Sequence, residues 1–272
     1  MNSTVKIYAR PKLKSPNMLA AWPGIGNVSM LVAGYLEKHL EFKRLAEIEA
    51  SRFFDPIGIA VRDNVVEAPQ FPRSRFSYWK NPGAGSDIIL FVGDDQPPTN
   101  AYALAHSVID LGLRFQVKRI YTCAAAMTRI HHSEMPNVWG VATVPELTEE
   151  LRQLNLIQRG NLQISGLNGL LLGVAKERNV EGICLLGEVP SYATRVPSPM
   201  AALAIYSVLP QMLDIKIDTF ELSQQANEMR EHLKQIAAQA MGEYIDLFTE
   251  PIWEYGQEDE DDEDEDEDDD DY

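Results

Sequence analysis

Two apolar runs, at residues 87–92 and 182–186, constrain this chain more than any other feature. A strand with one wet face alternates apolar and polar side chains. A strand apolar at consecutive positions must be covered on both faces, which calls for a sheet held between two layers of helices. The segments around these runs supply such helices. A short strand at 18–22 ends in Trp22-Pro23-Gly24-Ile25-Gly26-Asn27, and Val28, Leu31, Val32, Tyr35, Leu36 and Leu40 then recur in steps of mostly three and four, one face of a helix. After 87–92 the chain breaks at Gly93-Asp94-Asp95 and Pro97-Pro98, and a helix over about 100–111 closes at Gly112. Strands at 119–124 and 139–144, a short helix opened by Pro145, a helix from 166 to about 178 and another over 197–209 continue the rhythm. The expected fold is α/β: a doubly wound, mainly parallel sheet with helices on both faces.

Two regions depart from that rhythm. Residues 46–79 are punctuated by Pro56, Pro69 and Pro72 and read as irregular strands and loops inserted into the sheet domain, with an extended piece at 57–61. From 219 to 248, Leu222, Ala226, Met229, Leu233, Ile236, Ala240, Tyr244 and Leu247 form a stripe along one long helix. That stripe must pack on its own domain, on a second copy or on another protein. The expected divisions are an α/β core at 1–218, a helical extension at 219–250 and an acidic tail at 251–272.

Charge is concentrated in that tail. The chain carries −17 at neutral pH, and residues 258–271 are 14 consecutive acids, so without them the balance is −3. Adjacent carboxylates repel and bury nothing, which predicts disorder. A body this evenly charged lacks the concentrated positive face that nucleic acid requires. No apolar stretch is long enough for a bilayer and the first residues lack a signal-peptide core, so a cytoplasmic protein with neither nucleic acid nor membrane as partner is expected. Cys123 and Cys184 sit inside apolar strands and read as small buried hydrophobes.

Candidate chemistry is sparse. Gly24-Ile25-Gly26 with Asn27 lies between a strand and a helix start, where free amides could hold an anion, but no third glycine completes a dinucleotide fingerprint and tight turning explains it equally. Gly166, Asn168 and Gly169 make a second such turn without the lysine and hydroxyl of a nucleotide-binding loop. Asp94, Asp95 and Glu188 follow strands and could share the carboxyl edge of the sheet, serving a metal, acting as base, or capping helices. His131 and His132, adjacent on an extended segment, should point to opposite faces. No spacing of metal ligands stands out, and no cofactor or metal is expected.

Several of these motifs in this order resemble the archaeal and bacterial branch of the proteasome assembly chaperone family. The matching residues are Trp22 through Val28, Gly93-Asp94-Asp95-Gln96-Pro97, the run from Gly160 to Gly173, Cys184-Leu185-Leu186-Gly187-Glu188, and Pro199 with Ala201-Ala202. The resemblance covers about residues 18–240. It implies an α/β sandwich with the outline of nucleoside phosphorylases, self-association, and a chaperone role in building 20S proteasome rings, with α-subunits as the first partners. Some archaeal relatives dock through a tail ending in a hydrophobic residue, a tyrosine and one more residue. This chain ends Asp270-Asp271-Tyr272, with aspartate in the hydrophobic position and tyrosine last. The tail either steers the chain to a basic surface or keeps it soluble. A protein-binding scaffold is therefore the leading expectation, with Leu222, Met229, Leu233, Ile236 and Tyr244 as an oligomer or partner helix. The alternative is a phosphorylase- or ligase-type enzyme that binds an anionic small molecule at the glycine turns.

Overall fold

A computed structural model describes residues 5–56, 58–157 and 162–249. In chain order the strands are β1 (Val5–Ile7), β2 (Asn17–Ala21), β3 (Lys43–Ile48), β4 (Val61–Arg62), β5 (Val65–Val66), β6 (Ser74–Trp79), β7 (Ile88–Gly93), β8 (Arg119–Thr128), β9 (Val138–Ala142) and β10 (Glu181–Pro190). The α-helices are α1 (Val28–His39), α2 (Ala101–Arg114), α3 (Pro145–Gln153), α4 (Leu167–Glu177), α5 (Pro199–Tyr206), α6 (Leu209–Leu213) and α7 (Phe220–Thr249).

Eight strands form one sheet in the order β1-β3-β6-β7-β2-β8-β10-β9. The central four, β7-β2-β8-β10, are parallel, as the apolar runs require. Their alternate residues enter different layers. Leu19, Ile88, Leu90, Ile183 and Leu185 pack under α1 and α5, whereas Met18, Ala20, Ile89 and Phe91 pack under α2 and α4. Helices thus cover both faces of an α/β sheet, and an unbroken apolar run is two interleaved cores. The central order places β2, the first of the four in the chain, between the second and the third. Connections therefore leave β2 in opposite directions, and a crevice opens at its carboxyl end.

The flanks differ from the sequence expectation. β1, β3 and β6 extend the sheet by antiparallel pairing, and β9 pairs antiparallel with β10. β6 is a strand within the region expected to be irregular, and β3, which enters that region at Ala46, pairs with β6 across a register shift between Arg44 and Ala46. Residues 49–73 between them add no strand to the large sheet. Of the piece expected at 57–61, only Val61 among the described residues is in a strand, β4, which pairs with β5 in a separate two-stranded sheet, and Ile57 lies outside the described residues. In Ser74-Arg75-Phe76-Ser77-Tyr78-Trp79 polar and aromatic residues mix because a flanking strand need not be apolar throughout. β9 cannot be parallel to β8, since the segment 129–137 is too short for a crossover. The helix expected over 197–209 ends at Tyr206, because Pro210 cannot donate to residue 206 and its ring crowds that carbonyl, so α6 starts anew.

The segment before β2 runs along the amino edge of the sheet. Its anchor is the buried carboxylate of Asp87, which accepts the Lys14 amide at 2.6 Å and the Asn81 amide at 2.9 Å. At the other end of the chain, α7 begins near the same edge: the Tyr35 hydroxyl donates to the Asp218 carbonyl at 2.9 Å, and Lys38 pairs with Glu221. Leu222 and Ala226 are buried and Met229 is half-buried, so the first turns of the apolar stripe pack on their own core. Contacts divide the chain into a compact unit ending at Arg230 and a second beginning at Glu231. Leu233 and Ile236 belong to the second unit, where Ile236 is exposed, and the Tyr244 side chain lies outside the described residues. Among the described residues no helix is long and apolar enough to cross a membrane.

Candidate functional site

The crevice at the carboxyl end of β2 is built from the two glycine turns. Gly26 has φ +60, a conformation that side chains strain to reach, and its amide donates to the Thr194 carbonyl at 3.1 Å while its carbonyl accepts from Ser198 at 2.7 Å. The first turn is thereby stitched to the loop after β10. Gly166, at φ +76, opens α4, and a Cβ there would meet the Gln96 side chain at 2.7 Å. Gln96 joins the two turns: its Nε2 donates to the Pro23 carbonyl at 2.6 Å and its Oε1 accepts the Leu167 amide at 2.9 Å. Asn168, 4% exposed, completes the clamp. Its Oδ1 accepts from the Trp22 amide at 3.2 Å and from the Ser29 hydroxyl at 3.3 Å, while its Nδ2 donates to the Trp22 carbonyl at 3.2 Å. Gly169 lets α4 approach the preceding segment, since a Cβ would stand 2.2 Å from the Ile164 carbonyl oxygen.

The structure thus brings Gly24 together with Gly166 and Asn168, far apart in the chain, whereas Gly26 faces Val189 and Ser198, Gly169 faces Ile164, and Asn27 lies outside the crevice lining. The crevice has a volume of about 360 Å³, lined by Gly24, Ile25, Ser29, Gln96, residues 124–127, residues 162–166 and Asn168. None of these lining side chains carries a charge. A bound anion would meet no counter-charge, and the first amide of α4 is already engaged by Gln96.

The carboxylates do reach the carboxyl edge but do not converge. Asp94 accepts the Arg73 amide at 3.1 Å and pairs with Arg75 at 3.2 Å, and Asp95 accepts the Gln96 amide at 2.7 Å. Glu188 holds the segment before β9, accepting both the backbone amide and the Nδ2 of Asn137 at 2.9 Å. β7 and β10 stand three strand spacings apart, about 14 Å, too far for Asp94 and Glu188 to ligate one ion. Among the described residues no group of three His, Cys, Asp or Glu side chains is placed to hold a metal. His131 and His132 do not point apart: their ring centroids lie 4.0 Å from each other because the chain turns there, and the Tyr192 hydroxyl contacts Nδ1 of His132 at 3.0 Å. Asp270, Asp271 and Tyr272 lie outside the described residues.

A profile of the PAC2 family matches residues 18–237. The chain belongs to the PAC2 family. Pyrococcus furiosus PbaB, an archaeal proteasome activator, is 30% identical with a TM-score of 0.74, covering 86% of this chain and 98% of PbaB. PbaA from the same organism, an archaeal homolog of proteasome-assembly chaperone, has the same fold at 22% identity and TM-score 0.65, covering 88% and 99%. Methanocaldococcus jannaschii MJ1210, an uncharacterized protein, is 26% identical over 236 residues, 86% of this chain and 87% of its own length.

In this PAC2 chain the residues that sequence reasoning passed over are Gln96 and the rim of the crevice. Gln96 stood in a quoted motif, yet nothing local marks it as the link to a helix 71 residues away. The rim carries Ile25, Leu162 and Met127, the last 59% exposed, with Met135 at 65% and Tyr192 at 61% on the same edge. β8 runs to Thr128, four residues past the strand expected at 119–124, so nothing in the sequence placed Met127 at the sheet edge. The two cysteines are as the sequence implies: burial pushes the Cys184 thiol up to about 12 and Cys123 well above its usual range. At pH 8 both are therefore protonated and shielded. A thiol-specific chromogenic reagent is expected to label neither in the native protein and both in concentrated urea, and rapid native labelling would contradict their placement.

Proposed function

We propose that this PAC2 protein is a protein-binding scaffold that acts on 20S proteasome rings, with the α-subunits as its first partner. The observation that carries this reading is the uncharged carboxyl-edge crevice with its apolar rim. Exposed large apolar side chains gathered at one edge mark protein contact surfaces, and methionine adapts to varied partners. Gln96, Asn168 and Ser29 are engaged in the clamp, so shape and apolar area are the larger part of what the crevice offers. PbaB, at 30% identity over nearly its whole length, adds the proteasome as target.

In this reading the α/β core at 1–218 presents the crevice, and residues 219–250, through Met229, Ile236 and Tyr244, hold a second copy or the partner, while Leu233 is buried. The acidic run, with Asp270, Asp271 and Tyr272, steers the chain to a basic surface. Capture of purified proteasome α-subunits on the immobilised full chain tests this, alongside Met127→Glu and a chain ending at Gln257. The full chain should retain α-subunits, Met127→Glu should lower retention about tenfold, the effect of about 1.4 kcal/mol, and the shortened chain should bind more slowly at low salt. Absence of capture by the full chain at any salt concentration would sink the reading.

A further inference from the structure

The amino edge of the sheet, opposite the crevice, bears a row of cations that the site above does not use. From Val5 to Ser15 half-buried and exposed residues alternate strictly, so Tyr8, Arg10, Lys12 and Lys14 all face outward. Same-face side chains in an extended segment repeat about every 6.6–6.8 Å. Lys80 and Lys118 reinforce the row, since Asn81 shares the Asp87 carboxylate with Lys14 and the Lys118 amide donates to the Pro16 carbonyl at 2.9 Å. Among the described residues Arg10, Lys12, Lys14, Lys80 and Lys118 form no ion pair with a carboxylate. Asp87 is buried and held by two backbone amides, and the exposed acids on this edge include Asp214, whose carbonyl accepts from Asn81 at 3.2 Å, and Glu181, which is paired with Arg119 at 3.1 Å.

We infer that this basic row is a docking site for the acidic segment 258–271 of a second copy of the chain. The complementarity is one of sign and spacing. An extended run of 14 acids presents a carboxylate on each face at the same repeat as the cations, and because every position is acidic, any sliding register keeps the match. The path of α7 inside the first unit leads away from the row, which favours a second copy over the same one. It leaves the amino edge at Glu221, which pairs with Lys38, and Arg230 reaches Met135, on the carboxyl edge, at 3.3 Å. The chain therefore leaves this unit at the end of the sheet opposite the row. Copies are held head to tail, and any other basic surface that takes the segment must first displace it.

A zero-length carbodiimide coupling on an equal mixture of unlabelled and nitrogen-15-labelled full-length protein tests this directly. Mass spectrometry should find mixed-isotope links between carboxylates of 258–271 and Lys12, Lys14, Lys80 or Lys118. These links should fall at least tenfold in the full-length double variant Lys12→Glu/Lys14→Glu, with its thermal midpoint confirming that it folds. They should also vanish in the unaltered protein at about 1 M salt, where charges are screened beyond roughly 3 Å. Links shared evenly among all lysines and insensitive to salt, links only between equal isotopes, or links that persist in a folded double variant would each overturn the inference. None of these outcomes depends on whether proteasome subunits are captured.

Discussion

Replacing Gly187 with valine is expected to leave little folded protein, and alanine at the same position to lower stability by about 2–3 kcal/mol, near the upper end of overpacking costs. Gly187 lies in β10, where a Cβ would stand 2.6 Å from the Ala201 carbonyl oxygen and 2.9 Å from the Ala201 Cβ. Both contacts lie below any distance that real side chains adopt. The nearer partner is helix backbone, so relief requires α5 to move as a body. It cannot move freely: Ser198 caps it by accepting the Ala201 amide, and the Ser198 amide in turn donates to Gly26 at 2.7 Å. Shifting α5 thus pulls on the first glycine turn and on the crevice. Urea midpoints for the glycine, alanine and valine proteins should fall in that order. Adding Ala201→Gly to Gly187→Ala should recover only part of the loss, because the carbonyl remains. An unchanged midpoint for Gly187→Ala would mean that α5 does not sit where described.

Asn168→Ala should cost about 3 kcal/mol, since it leaves the Trp22 amide, the Trp22 carbonyl and the Ser29 hydroxyl without their partner inside the core, at about 1–3 kcal/mol per stranded group with some recovery by relaxation. For a chain of this size that corresponds to a thermal midpoint lowered by roughly 6–12 °C. Asn168→Asp separates a hydrogen-bonding role from a packing one. Its carboxylate would face the Trp22 carbonyl, and burial with that neighbour raises the acid above its usual value of about 3.9. The folded state then prefers the protonated form. Stability relative to Asn168 is therefore greatest below pH ~4 and is lost as pH rises through the raised value. Thermal midpoints of this variant should climb toward the unaltered protein's as pH falls, whereas those of Asn168→Ala should keep a constant gap. Parallel profiles for the two variants would show that the side chain merely fills space.

These two positions also mark how far a sequence can be read. Gly187 and Asn168 both stand in quoted family motifs, yet neither motif says what the residue touches. Gly187 is glycine because a helix that begins 12 residues later crosses it, and Asn168 is asparagine because a turn 146 residues earlier presents a backbone amide and carbonyl side by side. Asp87 is similar. Read as the first residue of an apolar run, it is instead the buried anchor for the amino-edge segment.

The sequence alone determined the layered α/β core and the places where the chain turns. Those follow from local physics: apolar periodicity, the positive-φ needs met at Gly26 and Gly166, and the missing donor of proline act within a few residues. Only tertiary structure decided the rest. It joined β1, β3 and β6 to the sheet, aimed the carboxylates at separate partners, made the crevice neutral and left the amino edge basic. Each depends on which distant segments meet, and charge or apolar area becomes a surface property only when residues remote in sequence share one face.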